Sequence, residues 1–214
     1  MRTGIFGGTF DPPHTGHLIV AQDAALALEL DRILFVPAAE PPHKQHMSVT
    51  RAALRVRMLE LALTDDDRFA VDTVELERSG PSYTVDTLRE LGERWPGTDW
   101  TLLMGVDQYA TFHTWRQPDD IRRLCRIAVL SRDGLMTPAG TEGARLAKAA
   151  GPASIAALPT GDVLVSVTRI DISSTAVRER VGAGQPIRYL VPAAVEALIV
   201  AEQLYSRNGP ESAG

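Results

Sequence analysis

Two histidines three residues apart, His14 and His17, close the stretch Gly7-Gly8-Thr9-Phe10-Asp11-Pro12-Pro13-His14-Thr15-Gly16-His17. At a helix start that spacing turns both imidazoles to one side. The positive end of the helix dipole favours an anion at the same place. Adjacent glycines let backbone approach a ligand closely and take positive φ. The pattern is neither G-x-G-x-x-G nor G-x-x-x-x-G-K-[ST], which excludes a dinucleotide fingerprint and a Walker A loop here. Three chemistries stay open: a phosphate site, which the converging donors and helix dipole favour, a plain tight turn with solvent-facing histidines, and a metal site. The metal reading would recruit His43 and His46, a second pair three apart. Neither pair contains Asp or Glu, and Lys44 beside His43 would repel a cation, so no metal ligands are expected.

A second cluster of polar groups lies at Ile172-Ser173-Ser174-Thr175-Ala176-Val177-Arg178. Hydroxyls and unpaired N–H groups at a helix start, with Arg178 one turn inside, make an anion cradle that can face the first. Taken alone, Ser-Ser-Thr reads more simply as a helix cap with a solvated arginine. Paired with the glycine–histidine turn, it reads as the second half of one anion site.

The elements that must carry these residues follow from periodicity. Thr3–Phe6 is a predicted strand, Leu18–Leu30 an apolar helix and Ile33–Val36 a second strand ended by Pro37. Strand, turn, helix and strand within some three dozen residues form a βαβ unit, which implies a parallel sheet with right-handed crossovers. Thr50–Leu63 is an amphipathic helix with Leu54, Met58, Leu61 and Ala62 apolar and Arg51, Arg55 and Arg57 between them. Phe69–Val71 and Val74–Leu76 read as extended, Thr84–Leu91 as helical, and Trp100–Met104 and Ile127–Leu130 as buried strands. Trp115–Leu124 reads as irregular or helical. Asp133–Gly161 is a variable excursion of small residues with a weak helix at Ala144–Ala150. Val163–Val167 is a further strand, and Ala176–Val181 and Pro192–Tyr205 are closing helices. At least four parallel strands are predicted. Residues 206–214 form a polar tail expected to be disordered.

Gly7–His17 resembles the G-G-T-F-D-P-x-H-x-G-H signature of the H-x-G-H nucleotidyltransferase superfamily, with Pro13 at its variable place. Ile172–Arg178 resembles the I-S-S-T-x-[IV]-R motif of the same family. The resemblance implies an α/β, Rossmann-like doubly wound parallel sheet with a small C-terminal helical portion, one domain over residues 1–205. It implies that Gly7, Gly8, Thr9, Phe10, His14, His17, Ile172, Ser173, Ser174 and Arg178 bind ATP, with His14, His17 and Arg178 catalytic. Mg²⁺ is implied as a companion of the ATP, without protein ligands of its own.

Three further stretches are similar to the bacterial nicotinate mononucleotide adenylyltransferases: Phe35–Lys44, Gly80–Leu88, and Gly105-Val106-Asp107 with Trp115. Val106 stands where that branch usually has Ala. The resemblance covers Met1 to about Tyr205, apart from the Asp133–Gly161 excursion. It implies nicotinate mononucleotide as the AMP acceptor, with Lys44, Tyr83, Thr84, Asp107 and Trp115 as its binding residues. Trp115 can stack on a flat ring, and N–H groups near Tyr83 and Thr84 can hold a carboxylate. Asp107 can accept from ribose hydroxyls. The bland roles of packed ring and helix cap stay open for each. The alternatives are the same chemistry on nicotinamide mononucleotide or another small phosphate, and a non-catalytic nucleotide-binding module.

Bulk properties agree with a small-molecule enzyme. The 214 residues carry 22 Lys and Arg against 27 Asp and Glu, a net charge of −5, with no long basic run to hold a nucleic acid backbone. A class I aminoacyl-tRNA synthetase, which shares H-x-G-H, is disfavoured on the same ground and by size. A single cysteine, Cys125, excludes an intrachain disulfide and a thiolate cluster, and its apolar neighbours mark it as a buried thiol. No apolar run reaches the ~18 residues of a membrane span. A strand beginning within five residues of Met1 predicts no signal peptide. The expected setting is the cytoplasm, as a monomer or small homo-oligomer.

Overall fold

The computed structural model describes residues 1–39, 49–132, 154–158 and 160–206. Seven strands form one sheet: β1 (Arg2–Gly8), β2 (Arg32–Pro37), β3 (Phe69–Val71), β4 (Asp99–Gly105), β5 (Arg126–Ser131), β6 (Ser154–Ala157) and β7 (Val163–Ser166). Their order is β3-β2-β1-β4-β5-β7-β6. Every pairing is parallel except β6 with β7. The helices are α1 (Thr15–Ala27), α2 (Ala52–Leu63), α3 (Thr84–Arg94), α4 (Val106–Ala110), α5 (Pro118–Leu124), α6 (Ser174–Gly182) and α7 (Ala193–Ala201).

The strands are continuous apolar runs because both faces of the sheet are covered. Successive side chains take opposite faces. Ile33, Phe35, Leu103, Ala128 and Leu130 enter one core with Val20, Ala21, Ala24 and Ala25 of α1 and Leu59 and Leu63 of α2. Leu34, Val36, Leu102, Met104, Ile127 and Val129 enter a second core with Val85, Leu88 and Leu91 of α3 and Ile121 of α5. The sheet is therefore doubly wound, and β1 beside β4 is the point where the strand order reverses. Ligands in such folds bind beyond the carboxyl ends of the strands at that point. A third cluster joins Met58 of α2 to Val177, Ile187, Val191, Val195, Ile199 and Leu204, which makes the small C-terminal helical portion.

Several expectations need correction. Val74–Leu76 is a turn rather than a strand. Asp72 Oδ1 accepts the N–H of Val74 at 2.9 Å and the Thr73 carbonyl accepts the N–H of Leu76 at 2.8 Å, so local bonds displace strand pairing. The last helix stops at Ala201, four residues before Tyr205. Gln203 and Tyr205 then take left-handed backbone, φ 53° and 63°, which ends the apolar periodicity. The excursion after β5 carries an unforeseen antiparallel strand, β6, at its close. The helix expected at Ala144–Ala150 lies outside the described residues. No helix among the described residues is long and apolar enough to cross a membrane.

Candidate active site

Because the helices run back against parallel strands, the N-termini of α1, α3, α4 and α6 gather at the carboxyl rim of the sheet. Gly7 and Gly8 end β1 there, next to Gly105 at the end of β4. A Cβ built on Gly8 would lie 2.9 Å from the Phe10 ring, so close packing requires glycine at that position. A Cβ on Gly7 would meet nothing within 4 Å, and Gly7 is exposed. Phe10 is buried with φ 50° and turns its ring edge to His17 at 5.1 Å between centroids.

His14 caps α1 in extended backbone and is buried. Its ring stacks on that of His17, centroids 3.6 Å apart and planes 24° from parallel. The backbone N–H of His14 donates to His17 Nδ1 at 3.1 Å. While the imidazole is neutral this places its proton on Nε2, a donor for an anion. Gly16 makes the stack possible: a Cβ there would lie 3.1 Å from His14 Nδ1. That Nδ1 is buried and lacks a hydrogen-bond partner among the described residues. Burial pushes the His14 imidazole down to about 4, helped by the positive charge of Arg132. Burial first, then the neighbouring His14 and Arg132, hold His17 well below its usual range. Both rings are neutral donors near pH 7.

The second motif is fastened to this turn. Ser174 Oγ donates to the Pro12 carbonyl at 2.8 Å, and Arg178 Nη1 donates to the Asp11 carbonyl at 2.7 Å. Arg178 Nη2 also reaches Thr175 Oγ1 at 3.3 Å. Ser173 caps α6, its hydroxyl accepting the Ala176 N–H at 3.1 Å. Ile172 is half-buried against the third cluster. The two motifs, 150 or more positions apart in the chain, thus form one polar wall.

On the other face of the sheet, Tyr83 and Trp115 pack half-buried at the edge of the second core. Tyr83 caps α3 and Thr84 opens it. Trp115 follows a short 3₁₀ turn, with its ring 5.5 Å from Phe112. Asp107 is exposed in the first turn of α4. Lys44, His43 and His46 lie outside the described residues. Among the described residues no group of three or more His, Cys, Asp or Glu is placed to hold a metal ion.

A family model described as cytidylyltransferase-like matches residues 5–180. The chain is 40% identical over 208 residues to the probable nicotinate-nucleotide adenylyltransferase of Shouchella clausii (strain KSM-K16), covering 97% of this chain and 98% of that protein. It is 41% identical over 204 residues to the probable nicotinate-nucleotide adenylyltransferase of Geobacillus thermodenitrificans (strain NG80-2), covering 95% and 86%. The chain belongs to the nicotinate-nucleotide adenylyltransferases of the cytidylyltransferase-like family. Its fold matches that of the Plasmodium falciparum nicotinic acid mononucleotide adenylyltransferase complexed with NaAD, with a TM-score of 0.71 at 18% identity over 95% of this chain and 97% of that one.

Four residues that contact or act on these candidate groups were not singled out from the sequence. Arg55 is 2% exposed and donates to the carbonyls of Thr50 and Thr9, both at 2.9 Å. Tyr205 donates to the Asp11 carboxylate at 2.6 Å. Arg116 lays its guanidinium over the Tyr83 ring at 4.7 Å and reaches Asp86 at 3.4 Å, which puts a cation on the ring of Tyr83. Arg132 stands close enough to lower both histidines.

Proposed function

We propose that the chain transfers AMP from ATP to nicotinate mononucleotide, giving deamido-NAD and pyrophosphate. The carrying observation is the single wall made by the His14–His17 turn and the Ser174–Arg178 helix start at the strand-order reversal. A phosphate oxygen of the mononucleotide attacks the α-phosphorus of ATP in line. The new P–O bond forms as the bond to pyrophosphate breaks. Such a transfer needs positioning and charge stabilisation more than a proton-transfer dyad.

The neutral imidazoles supply N–H donors to the triphosphate, with His17 Nε2 oriented by the bond at its Nδ1. Exposed Gly7 lets backbone and nucleotide approach without a side chain between them. Ser173, Ser174, Thr9 and the remaining donors of Arg178 complete the ATP side. Tyr83, Thr84, Asp107 and Trp115 take nicotinate mononucleotide on the opposite side of the rim, and Lys44 is assigned to the same substrate from its sequence motif. A divalent ion is expected to travel on the nucleotide's own oxygens. When bound, Mg²⁺ would neutralise charge on the departing pyrophosphate.

Pyrophosphate release from ATP, measured with nicotinate mononucleotide, nicotinamide mononucleotide and phosphopantetheine in parallel, tests the reading. Turnover greatest with the nicotinate form supports it. Preference for another acceptor moves the chain to different substrates, and ATP binding without release makes it a nucleotide-binding module. His17→Ala is expected to lower turnover by about two orders of magnitude or more with the fold intact.

A further inference from the structure

The turn that carries both histidines is held by the far end of the chain. Tyr205 donates its hydroxyl proton to Asp11 Oδ1 at 2.6 Å, across 194 positions. Asp11 is 4% exposed, and its other oxygen accepts the Thr50 N–H at 3.2 Å. The carbonyl of the same residue takes the Arg178 guanidinium, and the charge of buried Arg55 acts on the Asp11 carboxylate. One residue inside the histidine turn, Asp11, is therefore where the segment before α2 and the C-terminal segment meet through its carboxylate and α6 through its carbonyl. A buried carboxylate depends on its donors, because burying an unpartnered charge is strongly unfavourable. Tyr205 also holds a left-handed backbone, φ 63°, which is an outlier for a bulky residue. Such strain persists only where the surroundings over-determine it. Its ring packs on the third cluster, so the hydroxyl is aimed by a rigid base.

We propose that Tyr205 is a positioning residue for AMP transfer: through its bond to the Asp11 carboxylate it fixes the His14–His17 pair relative to Arg178. The inference rests on the adenylyltransferase reading above. Its test uses the full chain with Tyr205→Phe, Asp11→Asn and the double variant. Tyr205→Phe keeps the ring in the third cluster and removes only the hydroxyl. Its kcat should fall about tenfold while KM for nicotinate mononucleotide stays unchanged, as expected for loss of a bond to a charged group that orients catalytic side chains. In the Asp11→Asn background the same change should alter kcat clearly less than in the unaltered chain, because the amide oxygen that replaces the carboxylate still accepts but no longer carries the charge that makes the bond strong. Fully additive losses would overturn the proposal and assign Tyr205 to packing alone.

A second readout needs no turnover. Imidazole ¹⁵N resonances of His14 and His17 should move in Tyr205→Phe without nucleotide, while those of exposed His113 stay put. Unmoved His14 and His17 signals would equally overturn the proposal. Absence of turnover in the unaltered protein would instead defeat the adenylyltransferase reading, and the resonances would still decide whether Tyr205 governs the turn.

Discussion

The rings of His14 and His17 stack 3.6 Å apart, and the backbone N–H of the first donates to Nδ1 of the second. Burial discourages a proton on both rings, and the neighbouring His14 discourages one further on His17. On the proposed function, the pair presents neutral N–H donors to the phosphates of ATP.

That arrangement makes stability depend on pH. The His14 imidazole lies at about 4 in the folded chain against an ordinary 6.5. Between those values the unfolded chain binds a proton that the folded chain refuses, so the stabilisation is full above ~6.5 and is lost as pH falls toward ~4. A drop of that size corresponds to on the order of 3 kcal/mol, and His17 contributes in the same sense. Urea midpoints should therefore fall between pH 7 and pH 4.5. His14→Gln should flatten that slope, and a variant with the parent's slope would refute this account of the pair.

Arg178 is the next point of leverage, since its guanidinium joins the two motifs through the Asp11 carbonyl. Arg178→Ala should lower kcat by about a hundredfold or more. It should also lower stability by about 1–2 kcal/mol, the loss expected for a charge-assisted bond. Arg178→Lys keeps the charge but not the planar fork, so it should recover stability more than turnover. Steady-state kinetics beside thermal melts separate the two effects.

Arg55 carries a structural load of a different kind. It is fully buried, it donates to two carbonyls around the turn, and its charge is set against Asp11. Arg55→Ala should destabilise the chain by about 1–3 kcal/mol, because the carbonyls of Thr50 and Thr9 lose their donor inside the fold. Arg55→Lys should fall between, as an ammonium cannot reproduce both bonds from one planar group. Equilibrium unfolding in urea gives the comparison directly.

Much of this was legible beforehand. Apolar runs such as Ile33–Val36 and Ile127–Leu130 declare buried parallel strands, and the glycines and histidines of Gly7–His17 mark the turn at the end of the first, where the structure stacks the two rings. What stayed hidden depends on contacts distant in sequence. Arg55 looked like one polar position of an amphipathic helix, indistinguishable from exposed Arg51 and Arg57 until α2 is docked beside the turn. Tyr205 looked like the end of a helix, and only the left-handed turn after Ala201 brings it to Asp11. Val74–Leu76 has strand composition, but the Asp72 side chain bonds its own backbone first. Strand β6 lies in a segment without periodicity, where pairing with β7 supplies what local propensity does not.

The acceptor side yields the last prediction. Trp115 packs against Phe112 at the edge of the second core, on the sheet face opposite the histidine pair. A large flat ring placed there suits stacking on a pyridine, an interaction of about 0.5–1.5 kcal/mol beyond the area it buries. Trp115→Ala removes both the stacking and the buried area, so KM for nicotinate mononucleotide should rise by about tenfold or more. KM for ATP should change less than about twofold, because the ATP wall lies on the other side of the rim and distant sites act nearly independently. Trp115→Phe retains a ring and should restore most of the acceptor affinity. Kinetics with each substrate varied in turn distinguish this from a packing defect, which would lower the folded fraction and leave both KM values where they were. Equal rises in the two KM values would show that Trp115 does not belong to the acceptor side.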